Sequence, residues 1–131
     1  LKRFERFKTD YLGPEAIIGQ AKNSRELEIA ELYQAYQTEL LLSGAMDFTD
    51  LLFNIVRLFD KKPAILELYQ RAFRFILVDE FQDTNPIQYR FLRQLSEHHQ
   101  NILVVGDDDQ LLEAQTLKVW LILEQTTQMF R

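Results

Sequence analysis

The chain has 131 residues, about the size of one domain, and 47% of them are hydrophobic, which is typical of a globular protein. It has 15 Lys and Arg against 20 Asp and Glu, so a net charge of −5 provides no overall attraction to nucleic acid. The lack of cysteine excludes disulfides and Cys-based zinc sites, no apolar run is long enough to span a membrane, and the charged first ten residues do not fit a signal peptide.

The first part of the chain predicts amphipathic helices. Apolar residues recur three and four apart over residues 1–11, and Gly13-Pro14 ends that helix. Asn23 followed by Glu26 predicts a capped helix start, and Ser43-Gly44 ends the helix that follows. The residues expected on the buried face of this second helix are Ile29, Leu32, Tyr33, Tyr36 and Leu40.

Two more helices are predicted before residue 75. Asp47 can cap the first of them, and Pro63 suits the first turn of the second. Asp47 and Asp50 are therefore interpreted as capping and first-turn acids, in preference to catalytic ones. The residues expected to point inward from these two helices are Phe48, Leu51, Leu52, Ile55, Phe59, Ile65, Leu66, Tyr69 and Phe73.

The pattern changes after residue 74. Residues 75–78 and 102–105 are short continuous apolar runs, typical of strands that are buried on both faces. Between them, Asn85-Pro86 starts a helix with Ile87, Phe91 and Leu95 inward. A strand, a helix and a strand at this spacing predict a parallel βαβ unit, and the fold class is therefore α/β.

Acidic residues follow both predicted strands. In open parallel sheets, ligands bind beyond the carboxyl ends of the strands. Asp79 is the candidate Mg²⁺ ligand, because Mg²⁺ prefers oxygen ligands, and Glu80 is the candidate base for an attacking water. For an isolated Asp-Glu pair, a solvated loop would be the preferred interpretation.

The full strings around these acids change that preference. Residues 78–85, VDEFQDTN, resemble motif II (the Walker B box) of the UvrD/Rep/PcrA-type superfamily 1 helicases. Residues 105–110, VGDDDQ, resemble motif III of the same family, at the separation the family shows. The strings YQAYQ at 33–37 and DFTDLL at 47–52 are also similar, so that the resemblance covers roughly residues 24–110.

The resemblance implies an ATP-driven enzyme that moves 3′ to 5′ on single-stranded DNA and unwinds duplex DNA. It implies ATP and Mg²⁺ as cofactors, and single-stranded and duplex DNA as partners of the full-length protein. By motif position, Asp79 would bind Mg²⁺, Glu80 would activate the hydrolytic water, and Gln110 would sense the γ-phosphate and couple it to DNA. Gln82 and Asp83 would belong to the same nucleotide-coupling network.

The resemblance also divides the chain. Residues 1–70 would be the end of the helical subdomain 1B, and residues 71–110 a partial RecA-like 1A core of the P-loop NTPase type. Residues 111–131 depart from the family's continuation after motif III, which a shift of the reading frame just after Gln110 would explain. The chain is therefore expected to be a fragment of an ATP-dependent DNA helicase. Because the sequence has neither a membrane-spanning run nor a signal peptide, a cytoplasmic location is the default expectation.

The sequence lacks a feature that ATP hydrolysis requires. No glycine of the chain begins a phosphate-binding loop ending in Gly-Lys-Thr or Gly-Lys-Ser, so we expect the isolated chain to be inactive. The alternative is a non-catalytic module that binds DNA or a helicase partner through the retained surface. The basic residues Lys2, Arg3, Arg6 and Lys8 could contact DNA phosphates, but a solvated helix face is the simpler interpretation.

Overall fold

The structure, a computed structural model, describes residues 1–106. Its elements in chain order are α1 (Lys2–Thr9), α2 (Pro14–Gln20), α3 (Ser24–Leu42), α4 (Phe48–Lys61), α5 (Pro63–Ala72), β1 (Ile76–Val78), a 3₁₀ turn (Phe81–Asp83), α6 (Pro86–Ser96) and β2 (Ile102–Val104). The α/β class is thus confirmed. Across residues 1–106, no helix combines the length and the apolar character needed to cross a membrane. The predictions for Gln110 and for residues 111–131 lie outside the described residues.

The predicted helix starts are confirmed by their side-chain caps. Asn23 Oδ1 accepts a hydrogen bond from the Glu26 amide at 3.0 Å at the start of α3. Asp47 Oδ1 accepts from the Asp50 amide at 2.8 Å, and Asp50 Oδ2 accepts from the Asp47 amide at 3.1 Å, a reciprocal cap at the start of α4. Helix α2 is not among the elements predicted from the sequence. It begins at Pro14, because proline lacks a backbone N–H and the first turn of a helix does not use that donor.

The end of α3 is a Schellman motif, in which two amides after the helix bond back to its last turn. The Gly44 amide donates to the Leu41 carbonyl at 3.1 Å, and the Ala45 amide donates to the Leu40 carbonyl at 2.9 Å. Gly44 has φ +61°, a left-handed conformation that glycine adopts at no steric cost. The prediction that Ser43-Gly44 ends this helix is confirmed.

Replacing Gly44 by Ala is therefore expected to destabilise the protein by about 1 kcal/mol, because a Cβ is disfavoured at positive φ. Gly19 is the matched control, since it lies inside α2, and a Cβ there would meet no atom within 4 Å apart from its chain neighbours and the backbone of its own helix. Gly19→Ala should be neutral or stabilise by up to about 1 kcal/mol. Urea denaturation of both variants measures the difference, and equal midpoints would contradict the assigned role of Gly44.

The described chain divides into two compact units. The first contains residues 1–57 and 85–88, and the second contains residues 58–84 and 89–106. In the first unit Tyr33 is fully buried, its ring lies 5.1 Å from that of Phe4, and its hydroxyl donates to the Leu12 carbonyl at 3.3 Å. Burial raises the pKa of Tyr33 to about 12. The buried apolar residues of this unit are Ala30, Tyr33, Phe53, Val56 and Ile87.

The first unit also contains a buried ion-pair cluster that joins α1, α3 and α4. The side chain of Lys8 is fully buried, and its ammonium contacts the carboxylates of Asp47 and of Asp50, the latter at 2.7 Å. The Tyr36 hydroxyl donates to Asp47 Oδ2 and the Gln37 amide donates to Asp50 Oδ1, both at 3.0 Å. The expectation that Lys8 lies on a solvated helix face is therefore wrong.

The second unit contains the two-stranded parallel sheet. Ile76 pairs with Ile102, and Leu77 with Leu103, which confirms the predicted parallel pairing. The expectation that these strands are buried on both faces is wrong for the described residues: Leu77 is 69% exposed and Leu103 57% exposed. Successive side chains of a strand point to opposite faces of the sheet, so Leu77 and Leu103 lie on one face and Ile102 on the other. Within residues 1–106, only the face with Ile102 is covered by packed neighbours.

Some residues predicted to point inward from helices are exposed as well. They include Leu32, Phe48, Leu51 and Phe73. The helical period identifies the apolar stripe of a helix, but burial of the whole stripe requires a packing partner along its full width. Phe59 has such partners, because its ring lies 6.1 Å from that of Phe91 and 5.4 Å from that of Tyr69.

Candidate active site at the ends of the parallel strands

The carboxyl ends of β1 and β2 are joined by backbone hydrogen bonds. The Val105 amide donates to the Val78 carbonyl at 2.8 Å, and the Phe81 amide donates to the Val105 carbonyl at 3.1 Å. Asp79 and Glu80 lie between these two bonds in the chain. The two candidate carboxylates are therefore held at the sheet edge where parallel α/β folds bind ligands.

Glu80 lies two residues after the end of β1 and directly precedes the 3₁₀ turn. Its backbone is left-handed, with φ 50° and ψ 44°, a conformation that costs a non-glycine residue roughly 1–2 kcal/mol. The Glu80 amide donates to Asp79 Oδ1 at 2.9 Å, and the Glu80 carbonyl accepts from the Asp83 amide at 3.0 Å. Backbone strain of this kind clusters at functional sites, where the surrounding structure maintains it.

Phe81 anchors the strained turn to the interior of the second unit. Its side chain is buried, and its ring meets that of Tyr89 edge to face at a centroid distance of 6.5 Å. Phe81 therefore anchors the turn that carries the acids. Because Asp79, Glu80 and Asp83 are all exposed, their carboxylates remain accessible to a ligand from solvent. No role for Phe81 is predicted from the sequence, although a single aromatic residue within an acidic motif is a usable signal.

Gln82 lies on the same 3₁₀ turn, and its side chain is half-buried. It lies next to Gly106, the second residue after the end of β2. The structure thus brings four predicted site residues together on residues 79–83. Gln110 lies outside the described residues, and the contact between Gln82 and Gly106 was not foreseen from the sequence.

The carboxylate oxygens at this edge of the sheet fit a Mg²⁺ ion whose remaining ligands are water and phosphate oxygens. Asp79 uses Oδ1 to cap the Glu80 amide, and its Oδ2 has no partner among residues 1–106. Within the same range, no group of three or more His, Asp or Glu side chains is gathered as a metal-binding cluster. Mg²⁺ typically binds proteins through one or two carboxylates and keeps water and substrate phosphate ligands, so a full protein cage is not required.

The chain is similar to known proteins over most of its length. Residues 1–112 match the UvrD/REP helicase N-terminal domain. The chain is 43% identical over 103 residues to the ATP-dependent DNA helicase PcrA of Bacillus subtilis, covering 79% of this chain and 14% of that protein. It is 48% identical over 86 residues to DNA helicase II of Haemophilus influenzae, covering 66% of this chain and 12% of that protein.

A probable DNA helicase II homolog of Rickettsia felis is 44% identical over 106 residues, covering 80% of this chain and 16% of that protein. The chain therefore spans only a small part of the length of each of these relatives. The domain match, however, extends over most of the chain and includes every candidate residue of the strand-end site. The chain belongs to the UvrD/REP helicase family.

Proposed function

We propose that this chain is part of an ATP-dependent DNA helicase that moves 3′ to 5′ on single-stranded DNA, and that it supplies the carboxylates for hydrolysis of Mg-ATP. The observation that carries the proposal is the position of Asp79 and Glu80 on a strained turn at the carboxyl edge of a parallel sheet. The names of the similar proteins, which include ATP-dependent DNA helicases, support the same assignment.

Each acid has a separate role in this proposal. Asp79 would bind Mg²⁺ through the oxygen that does not cap the Glu80 amide, and the ion would neutralise charge on the ATP phosphates. Glu80 would accept a proton from the attacking water as the general base. Gln82 and Asp83, on the same turn, and Gln110 would couple the state of the nucleotide to DNA. These are the roles of the Walker B and motif III segments, and a RecA-like core of the P-loop type would complete the site.

A chimera tests the proposal. Residues 1–110 of this chain, which include every candidate site residue, would replace the matching segment of the Bacillus subtilis relative, and that ATP-dependent DNA helicase would supply the rest of the protein. We expect ATP hydrolysis that single-stranded DNA stimulates, and unwinding of a duplex with a 3′ tail in preference to one with a 5′ tail. A folded chimera that binds ATP but neither hydrolyses it nor unwinds DNA would refute the proposed function.

The isolated chain is expected to release no phosphate from Mg-ATP above the buffer rate. It has no glycine-rich loop with a lysine to hold the β- and γ-phosphates, and carboxylates alone cannot position ATP. A phosphate-release assay on the purified chain measures this, with the chimera as the positive control. Turnover by the isolated chain that Glu80→Gln abolishes would contradict the prediction.

A further inference from the structure

Gly106 makes an unusually close approach to the turn that carries the candidate carboxylates. A Cβ built on Gly106 would lie 2.5 Å from Gln82 Oε1, 3.3 Å from the Phe81 nitrogen and 3.4 Å from the Gln82 nitrogen. The three nearest atoms all belong to the 3₁₀ turn Phe81–Asp83. Gly106 does not have a positive φ, so its backbone conformation alone does not require glycine. The space that a side chain would fill is occupied by Gln82.

We infer that Gly106 is a positioning residue for the hydrolytic site, which holds the Gln82 side chain against the end of β2 by having no side chain of its own. The Phe81 amide donates a hydrogen bond to the Val105 carbonyl at 3.1 Å, and this bond holds the turn beside the end of β2. Gln82 is the next residue along the turn, and its side-chain oxygen Oε1 lies next to Gly106. A side chain at position 106 would therefore displace Gln82, which lies two residues from Glu80 in the chain.

The geometry distinguishes positioning from support of the fold. Gln82 Oε1 is at the far end of a flexible side chain, so a methyl group at position 106 would displace it without unfolding the second unit. The two backbone nitrogens at 3.3 Å and 3.4 Å need to shift by only a few tenths of an ångström. Gly106→Ala should therefore move the Gln82 amide while lowering the urea midpoint less than Gly44→Ala does, because Gly44 has a positive φ.

The first test is structural and uses the full chain without nucleotide. The side-chain amide signals of Gln82 are recorded by ¹H–¹⁵N NMR and assigned by their loss in Gln82→Ala. We expect these signals to shift in Gly106→Ala and to stay unchanged in Gly19→Ala, the glycine with open space around it. Unchanged Gln82 signals in Gly106→Ala would overturn the inference. The result does not depend on ATP hydrolysis.

The second test rests on the proposed function and is a double-mutant cycle in the chimera. Gly106→Ala is expected to lower kcat for ATP hydrolysis about 10- to 100-fold, with the KM for ATP nearly unchanged, because the misplacement affects orientation. In the Gln82→Ala background the same substitution should have an effect of less than about threefold, since the displaced group is gone. Equal effects in both backgrounds would overturn the inference. If the unsubstituted chimera is inactive, the proposed function fails, and the NMR result alone decides the role of Gly106.

Discussion

Glu80→Gln in the chimera is expected to lower kcat for ATP hydrolysis by about 10²- to 10⁴-fold, the usual contribution of a general base. Glutamine has nearly the shape of glutamate and can occupy the same left-handed position after β1, but it cannot accept a proton from water. ATP binding should change by less than about threefold, because Asp79 and the rest of the proposed nucleotide site are unchanged. Steady-state hydrolysis gives kcat, and titration with a fluorescent ATP analogue gives the affinity.

Glu97→Gln is the matched control for this experiment. Glu97 is another exposed acid of the second unit, with Arg93 at 4.0 Å as its ion-pair partner, and it lies just beyond the end of α6. It should leave kcat unchanged. If Glu80→Gln retains more than about a tenth of kcat, Glu80 is not the base. Asp83→Asn, on the same turn, would then be the next variant to measure.

Lys8→Met is expected to destabilise the protein by about 3–5 kcal/mol, the cost of breaking a buried ion pair by removing one partner. Methionine fills much of the volume of the lysine stem but leaves the carboxylates of Asp47 and Asp50 facing each other without a cation. Asp50 is almost fully buried, so water cannot compensate for the loss. A loss of this size is a large fraction of the total stability of a small domain.

Two further variants keep this prediction testable if Lys8→Met does not fold. Lys2→Met, at an exposed lysine of the same helix, should change the free energy of unfolding by less than about 0.5 kcal/mol. Lys8→Met combined with Asp50→Asn removes one of the two unpaired charges and should recover part of the loss. Urea denaturation measures all three. A loss in Lys8→Met as small as in Lys2→Met would contradict the assigned role of the cluster.

The same cluster predicts how stability depends on pH. Burial alone would raise the pKa of Asp47, but hydrogen bonds from Lys8, the Asp50 amide and Tyr36 hold it below its ordinary value of 3.8. Because the folded-state pKa is lower than the unfolded-state one, the stabilisation is fully present above about pH 4 and is lost as the pH falls through the folded-state value. Without Lys8, burial should dominate and this loss at acidic pH should be smaller. Urea denaturation between about pH 3 and pH 6 measures the change.

Local signals in the sequence were sufficient for the helix ends and for the strand-end acids. Asn23, Asp47 and Gly44 act on backbone groups within a few residues of themselves, so their roles can be inferred without knowledge of distant contacts. The two apolar runs with a helix between them likewise determined a parallel pair of strands. The position of Asp79 and Glu80 at the sheet edge followed directly from that pairing.

Other features were decided only by contacts between residues far apart in the chain. Lys8 is a basic residue like its exposed neighbours in α1. It is nevertheless buried, because Asp47 and Asp50, at the start of α4, place two carboxylates beside it. Leu77 and Leu103 are as apolar as a core strand requires, yet the described residues leave their face of the sheet uncovered. Gly106 meets Gln82 only because β2 pairs with β1. Periodicity shows which side chains can be buried together, whereas packing partners from elsewhere in the chain decide which of them are.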